Sequence, residues 1–237
     1  MKTITKVLAA LAFAAPVMTN AATVTVTIED PGVQEADLAG IGATGSTVET
    51  FDNATLGNFS NYSSVLGTYS AGRIDNANQY GGADETQYLF SQNAPGSTLT
   101  LNTAATYFGF WWSAGSVNNQ VDLMAAGSSI FSFDTDDVLD FLANNASNAS
   151  AYNGNPNAGF AGQNGNQPYV FVNLFSDMAF DTVVFSGPNF ESDNHTIATS
   201  FTDTTGTNIS PVPVPASLPL LLAGLGLTGW VTRRRRG

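Results

Sequence analysis

The chain has 237 residues, no cysteine, nineteen acidic residues against seven Lys and Arg, and a formal charge of −12 at neutral pH. The missing thiols exclude a disulfide scaffold, thiolate metal sites and cysteine nucleophiles. Six of the seven bases lie at the ends, at Lys2, Lys6, Arg233, Arg234, Arg235 and Arg236, so nineteen acids face Arg73 alone and the body carries −18 with His195 neutral. Nucleic acid and anionic membrane surfaces are poor partners for such a field; divalent cations or a screening saline medium suit it better.

In chain order, residues 1–22 read as a signal peptide. Lys2 and Lys6 make the positive start, 7–17 the apolar core, and Thr19-Asn20-Ala21-Ala22 the small-residue zone for signal peptidase. Residues 23–201 read as one all-β domain, a jelly-roll-like β-sandwich with one short helix. Alternating β-branched residues predict a strand over 23–28, and 29–45 is a Gly-rich, acidic loop. Strands follow at 47–51 and 88–91, separated by a long Asn/Gly/Ser-rich region. Residues 97–102 and 106–113 are expected to form a hairpin across Thr103, Ala104 and Ala105. In its second strand Phe108, Phe110 and Trp112 share one face while Tyr107, Gly109 and Trp111 share the other. A strand apolar on both faces belongs in the middle of the fold.

A second hairpin is expected over 119–124 and 128–133, turning at Ala125-Ala126-Gly127. A helix then starts at Asp134 or Thr135, with Asp136 and Asp137 in its first turn, where the dipole favours acids. It carries a stripe of Val138, Leu139, Phe141 and Leu142 and ends near Ala143. The Asn-rich stretch 144–167 is a long loop of the kind that is either functional or disordered. Residues 168–175, 180–186 and 193–201 read as further strands, and 202–210 as a polar linker.

Three chemistries are candidates in this body. Oxygen-ligated Ca²⁺ could join Glu49 and Asp52 on an early strand to Glu191 and Asp193 entering the last one; solvated edge acids are the competing reading. A carbohydrate site could use Trp111, Tyr152 and Tyr169 as platforms beside the Asn-rich loop, against the alternative that these aromatics are core. Catalysis has little to stand on. His195 is the only histidine, no motif proposes a serine for it, and neither a phosphate-binding loop nor a zinc spacing occurs. A glycosidase carboxylate pair is not excluded by sequence, because separation is invisible there.

The tail, residues 211–237, has three parts. Pro211, Pro213 and Pro215 make an extended approach. Residues 218–231 are uncharged and apolar, about 21 Å long as a helix and a marginal membrane span once the flanks are added. Arg233, Arg234, Arg235 and Arg236 then hold the cytoplasmic side.

This order resembles the C-terminal sorting signal of PEP-CTERM proteins, and closely the VPLPA-CTERM variant. Val212-Pro213-Val214-Pro215-Ala216 carries Val214 in place of the usual leucine, and the apolar run and arginine cluster follow. In the body, Ala77 through Gly82, Tyr107 through Ala114, Tyr152 through Pro156, Pro168 through Asn173 and Phe190 through His195 resemble phrases of a family of exosortase-dependent surface proteins. The resemblance implies recognition of Val214, Pro215, Ala216 and the arginines by an exosortase in the inner membrane. It also implies removal of the tail and delivery to the surface or matrix of a Gram-negative bacterium. The expectation is a non-catalytic, surface-sorted protein. A carbohydrate-binding module for exopolysaccharide is the alternative, and a secreted glycan hydrolase or lyase the third.

Overall fold

Two strands of 17 residues, β6 (Ser97–Ser113) and β9 (Val170–Ser186), organise everything around them in the computed structural model, which describes residues 22–92, 96–145 and 148–209. Residues 1–21 of the expected signal peptide and the whole expected sorting segment, 211–237, lie outside the described residues. The protein is all-β: an eleven-stranded antiparallel sheet with one short α-helix among the described residues. None of its described helices is long and apolar enough to cross a membrane.

β6 and β9 pair with each other along most of their length, with register shifts between Thr100 and Tyr107. There each changes its outer neighbour. The first part of β6 lies against β4 (Gly67–Asp75), and the second against β10 (Phe190–Ala198). The first part of β9 lies against β1 (Val24–Ile28), and the second against β7 (Gln120–Ala125). β2 (Thr47–Glu49) and β5 (Tyr88–Ser91) flank β10, β3 (Gly57–Ser63) edges β4, and β8 (Ser128–Asp134) edges β7. One apolar core is shared by both halves of the sheet: Val26, Phe108, Phe110, Trp112 and Leu174 from one, Leu99, Val121, Leu123, Val183 and Phe185 from the other. Each of these large side chains is worth about 1.5–3 kcal/mol of burial.

Four sequence expectations are corrected. There is no hairpin at Thr103–Ala105, because β6 runs straight through and keeps β9 beside it. Residues 168–186 are likewise one strand from Val170 rather than two; Ser176 Oγ accepts the Met178 N–H and donates to the Met178 carbonyl at the irregularity. The Asn/Gly/Ser-rich region contains a hairpin, β3–β4, whose polar edge strand buries only Phe59 and Tyr62, and those partly. The expected linker, 202–210, also returns to the body over its described residues, 202–209. β11 (Thr207–Asn208) pairs with β1, and Ile209 is buried with its N–H donated to the Val26 carbonyl at 2.9 Å.

Other elements follow the sequence closely. The β7–β8 turn puts Ala126 and Gly127 at φ 48° and 77°, the left-handed pair that a two-residue hairpin requires. Helix α1 (Asp136–Asn145) starts where expected: Asp134 Oδ1 accepts the Asp136 N–H at 2.9 Å, and Val138 and Leu142 face the core.

Both faces of the sheet half built from β1, β9, β6 and β10 are buried, as the two-sided apolar pattern of β6 predicts. The face away from the core carries Trp111 against Phe171, and Tyr107 against Phe175. Irregular chain covers it. Asn155 Nδ2 donates to the Asn78 carbonyl at 3.3 Å, Asn157 Nδ2 to the Gly82 carbonyl at 2.7 Å, and Asn164 Nδ2 to the Gln79 carbonyl at 2.7 Å. The Gly159 N–H donates to Glu85 Oε1 at 2.7 Å, and Gln34 bridges Asn157 and the Asp84 N–H. The Asn-rich stretch is therefore a clasp over the 76–86 turn. Short amides satisfy backbone groups that have no strand partner. Gly82 is required at its place in that turn: its φ is 98°, and a Cβ would lie 2.3 Å from the Thr86 carbonyl oxygen.

Candidate functional site

Strand register sets the site. Opposed residues in an antiparallel sheet point to the same face, so the pairs Arg73–Phe90, Phe90–Glu191 and Glu191–Ser113 form a row across β4, β5, β10 and β6. This row lies on the face away from the core, just beyond the reach of the clasp. The pair Asp75–Tyr88 lies in the next row. Arg73, Asp75, Tyr88, Phe90 and Glu191, with Asn78 and Tyr80 from the 76–86 turn, Ala114, Ser116, Gln167 and Asn189, line a cleft of about 490 Å³.

The single cation of the body is held here in a fixed pose. Arg73 Nε donates to Asp75 Oδ1 at 2.7 Å and Nη2 to Asp75 Oδ2 at 2.6 Å, a two-pronged ion pair. Its guanidinium carbon stands 4.2 Å from the centroid of the Phe90 ring. Tyr88 is buried at the cleft base and accepts a hydrogen bond from Asn78 Nδ2 at 2.9 Å. Tyr80 stands at the cleft wall, 45% exposed.

Glu191 is the unusual group. It is 6% exposed, and among the described residues no cation is paired with it. Burial, helped by the Asp75 charge, pushes its carboxyl up to about 8, so at neutral pH it is mostly a protonated acid. The cleft thus holds two carboxyls in different settings: Asp75 in an ion pair with Arg73, and Glu191 buried without a cation.

The four acids expected to share a Ca²⁺ ion are held by separate groups. Glu49 Oε1 accepts the Phe51 N–H at 2.8 Å and the Tyr62 hydroxyl at 3.3 Å, and its Oε2 accepts the Val65 N–H, which staples β2 to the β3–β4 hairpin. Asp193 is wholly buried on β10. It accepts the Ala83 N–H at 2.8 Å and the Asn194 N–H at 2.7 Å, tethering the 76–86 turn, and burial raises its pKa well above the usual range. Asp52 is exposed, and Glu191 lines the cleft. Among the described residues no three acidic or histidine side chains gather as ion ligands.

The expected aromatic platforms are also corrected. Trp111, Tyr152 and Tyr169 are only 1%, 8% and 2% exposed, so none presents a ring face to solvent. Tyr152 donates to the Glu29 carbonyl and Tyr169 to the Gln79 carbonyl. Trp111 packs with Ala83, Tyr169 and Phe171, and Tyr152, itself part of the Asn-rich stretch, packs into the main core. The aromatics that line the cleft are Tyr80, Tyr88 and Phe90, which sequence reasoning passed over. Two signals pointed there: Arg73 is the body's single base, and it shares a strand face with Asp75.

His195 does meet a serine. Its Nε2 lies 2.9 Å from Ser192 Oγ and its Nδ1 2.8 Å from the Tyr69 hydroxyl, so either tautomer is satisfied. The ring is fully buried, stacked on Phe185 at 4.8 Å with Phe51 and Phe108 edge-on. Burial lowers its pKa to about 3. A neutral imidazole sealed among aromatic rings has no route to a substrate; its work is to satisfy two core hydroxyls.

Fold and site together define an all-β protein with a polar and aromatic cleft at the border of its sheet and clasp. No protein-family model matches the chain, and no curated protein matches it.

Proposed function

We propose that this chain is the precursor of an exported, exosortase-sorted protein of a bacterial surface or extracellular matrix, and that its body is a jelly-roll-like β-sandwich which binds carbohydrate without cleaving it. The cleft carries the reading. Sugar recognition uses aromatic rings for the C–H face of the pyranose and planar amides and carboxyls for its hydroxyls. Tyr80 and Phe90, Gln167 and Asn189, and Asp75 and Glu191 supply that set within one concavity. Binding is favoured over hydrolysis because the Asp75 carboxylate is already engaged at both oxygens by Arg73. A glycosidase needs its second carboxylate free to attack or to activate water.

Two measurements test this. On a glycan array the secreted product should bind a defined set of oligosaccharides and lose that binding in Tyr80→Ala; binding to none, or sugar release from the array, refutes it. Mass spectrometry of the product should show a start after Ala21 or Ala22 and an end ahead of Arg233. An intact polypeptide recovered from the cytosol would refute the sorting half.

A further inference from the structure

We infer that the cleft selects neutral, hydroxyl-rich glycans and rejects those carrying carboxylates. This rests on the carbohydrate-binding reading and names its ligand class. Three observations carry it. First, the only base in the body is already charge-compensated, with the Nε/Nη2 edge of its guanidinium filled. Arginine takes a ligand carboxylate through two parallel N–H donors, and Asp75 already occupies Nε and Nη2 of Arg73 at 2.7 and 2.6 Å, while Phe90 covers one face of the guanidinium. An acidic sugar would have to displace Asp75 or share the guanidinium with it at the Nη1 end, beside a like charge held on the same strand.

Second, Glu191 is a carboxyl more than nine-tenths buried that lines the cleft with no other side chain hydrogen-bonded to it among the described residues. A sugar hydroxyl satisfies it whether it donates or accepts. It offers a sugar carboxylate no positive charge in either state, and as pH rises toward 8, where it ionises, it meets one as a like charge. Third, the remaining open groups are uncharged: the Gln167 amide, the Asn189 Nδ2 donors and the exposed ring of Tyr80. Beyond the cleft, the other seventeen acids leave the body strongly anionic and repel a polyanion as a whole.

The experiment compares matched pairs that differ in one group: neutral gluco-, manno- and galacto-oligosaccharides of six units, and the same chains oxidised at C6 to uronates. Titration calorimetry with the full chain in detergent, at pH 6.5 and in both 20 mM and 150 mM salt, reads each affinity. At least one neutral member should bind, at least about tenfold more tightly than its uronate at both salts, and Tyr80→Ala should weaken it by about tenfold. Asp75→Asn opens the Arg73 fork and should shift the preference toward the uronate by about tenfold or more, a gain that misfolding does not produce. Equal or tighter binding of the uronate overturns the inference while leaving carbohydrate binding intact. An unchanged preference in Asp75→Asn overturns it too, because the closed fork would not be its source. Binding of no member at all refutes the carbohydrate reading itself.

Discussion

Replacing Glu191 by glutamine keeps the shape of the side chain and removes its proton chemistry, so it isolates what burial of this acid does to stability. The carboxyl goes from an ordinary 4.5 to about 8 in the folded protein. Below pH 4.5 both states hold the proton and the carboxyl has no pH-dependent effect. Above it the unfolded chain ionises first, so stability falls with rising pH until the folded group also ionises near 8. At 1.36 kcal/mol per unit, the loss is about 3 kcal/mol at pH 7 and levels near 5 kcal/mol above pH 8. Water entering the cleft lowers these figures without changing their order. Glutamine does not titrate. The variant should therefore match the parent at pH 4, exceed it by up to about 3 kcal/mol at pH 7, and gain most at pH 9. Urea unfolding of the body, residues 22–209, followed by tryptophan fluorescence at the three pH values measures this. A gain that is the same at pH 4 and pH 9, or no gain at pH 9, refutes the reasoning.

His195 has the opposite sign of pH dependence. Its folded pKa is about 3, so the stability it confers is complete above about 6.5 and is lost as pH falls toward 3. His195→Phe should cost about 2–4 kcal/mol at pH 7 by stranding the Tyr69 and Ser192 hydroxyls, yet flatten the acid limb of a fluorescence-monitored pH unfolding curve. An acid limb of unchanged steepness contradicts this. Asn157→Ala strands the Gly82 carbonyl under the clasp and should cost about 1–3 kcal/mol, with faster hydrogen exchange confined to 76–86 and 155–167; a uniform increase across the sheet would point to a global effect instead. Chelator should leave the melting temperature unchanged, because Glu49 and Asp193 already accept protein hydrogen bonds; a fall restored by Ca²⁺ would reinstate an ion at one of them.

Local pattern was enough for the strands whose side chains alternate and for the helix whose first turn is acidic. It also foretold that β6 would be buried on both faces, because Tyr107 and Trp111 alternate with Phe108, Phe110 and Trp112 and no face is left for water. It could not show that β6 and β9 run unbroken through residues that resemble turns, since what holds Ala105 extended is Phe180 on the facing strand. Nor could it separate buried aromatics from exposed ones. Trp111 is hidden with Ala83 of a distant turn and with Tyr169 and Phe171 of the facing segment, and Tyr169 is tied to the Gln79 carbonyl ninety residues before it. The cleft belongs wholly to the tertiary level. Arg73, Phe90 and Glu191 come from three strands and meet only because register sets them side by side, and register is a property of pairs of strands. Composition supplied the body with one arginine and nineteen acids. Alternation along β4 set Asp75 beside the arginine; pairing decided that Glu191 would be buried without a cation.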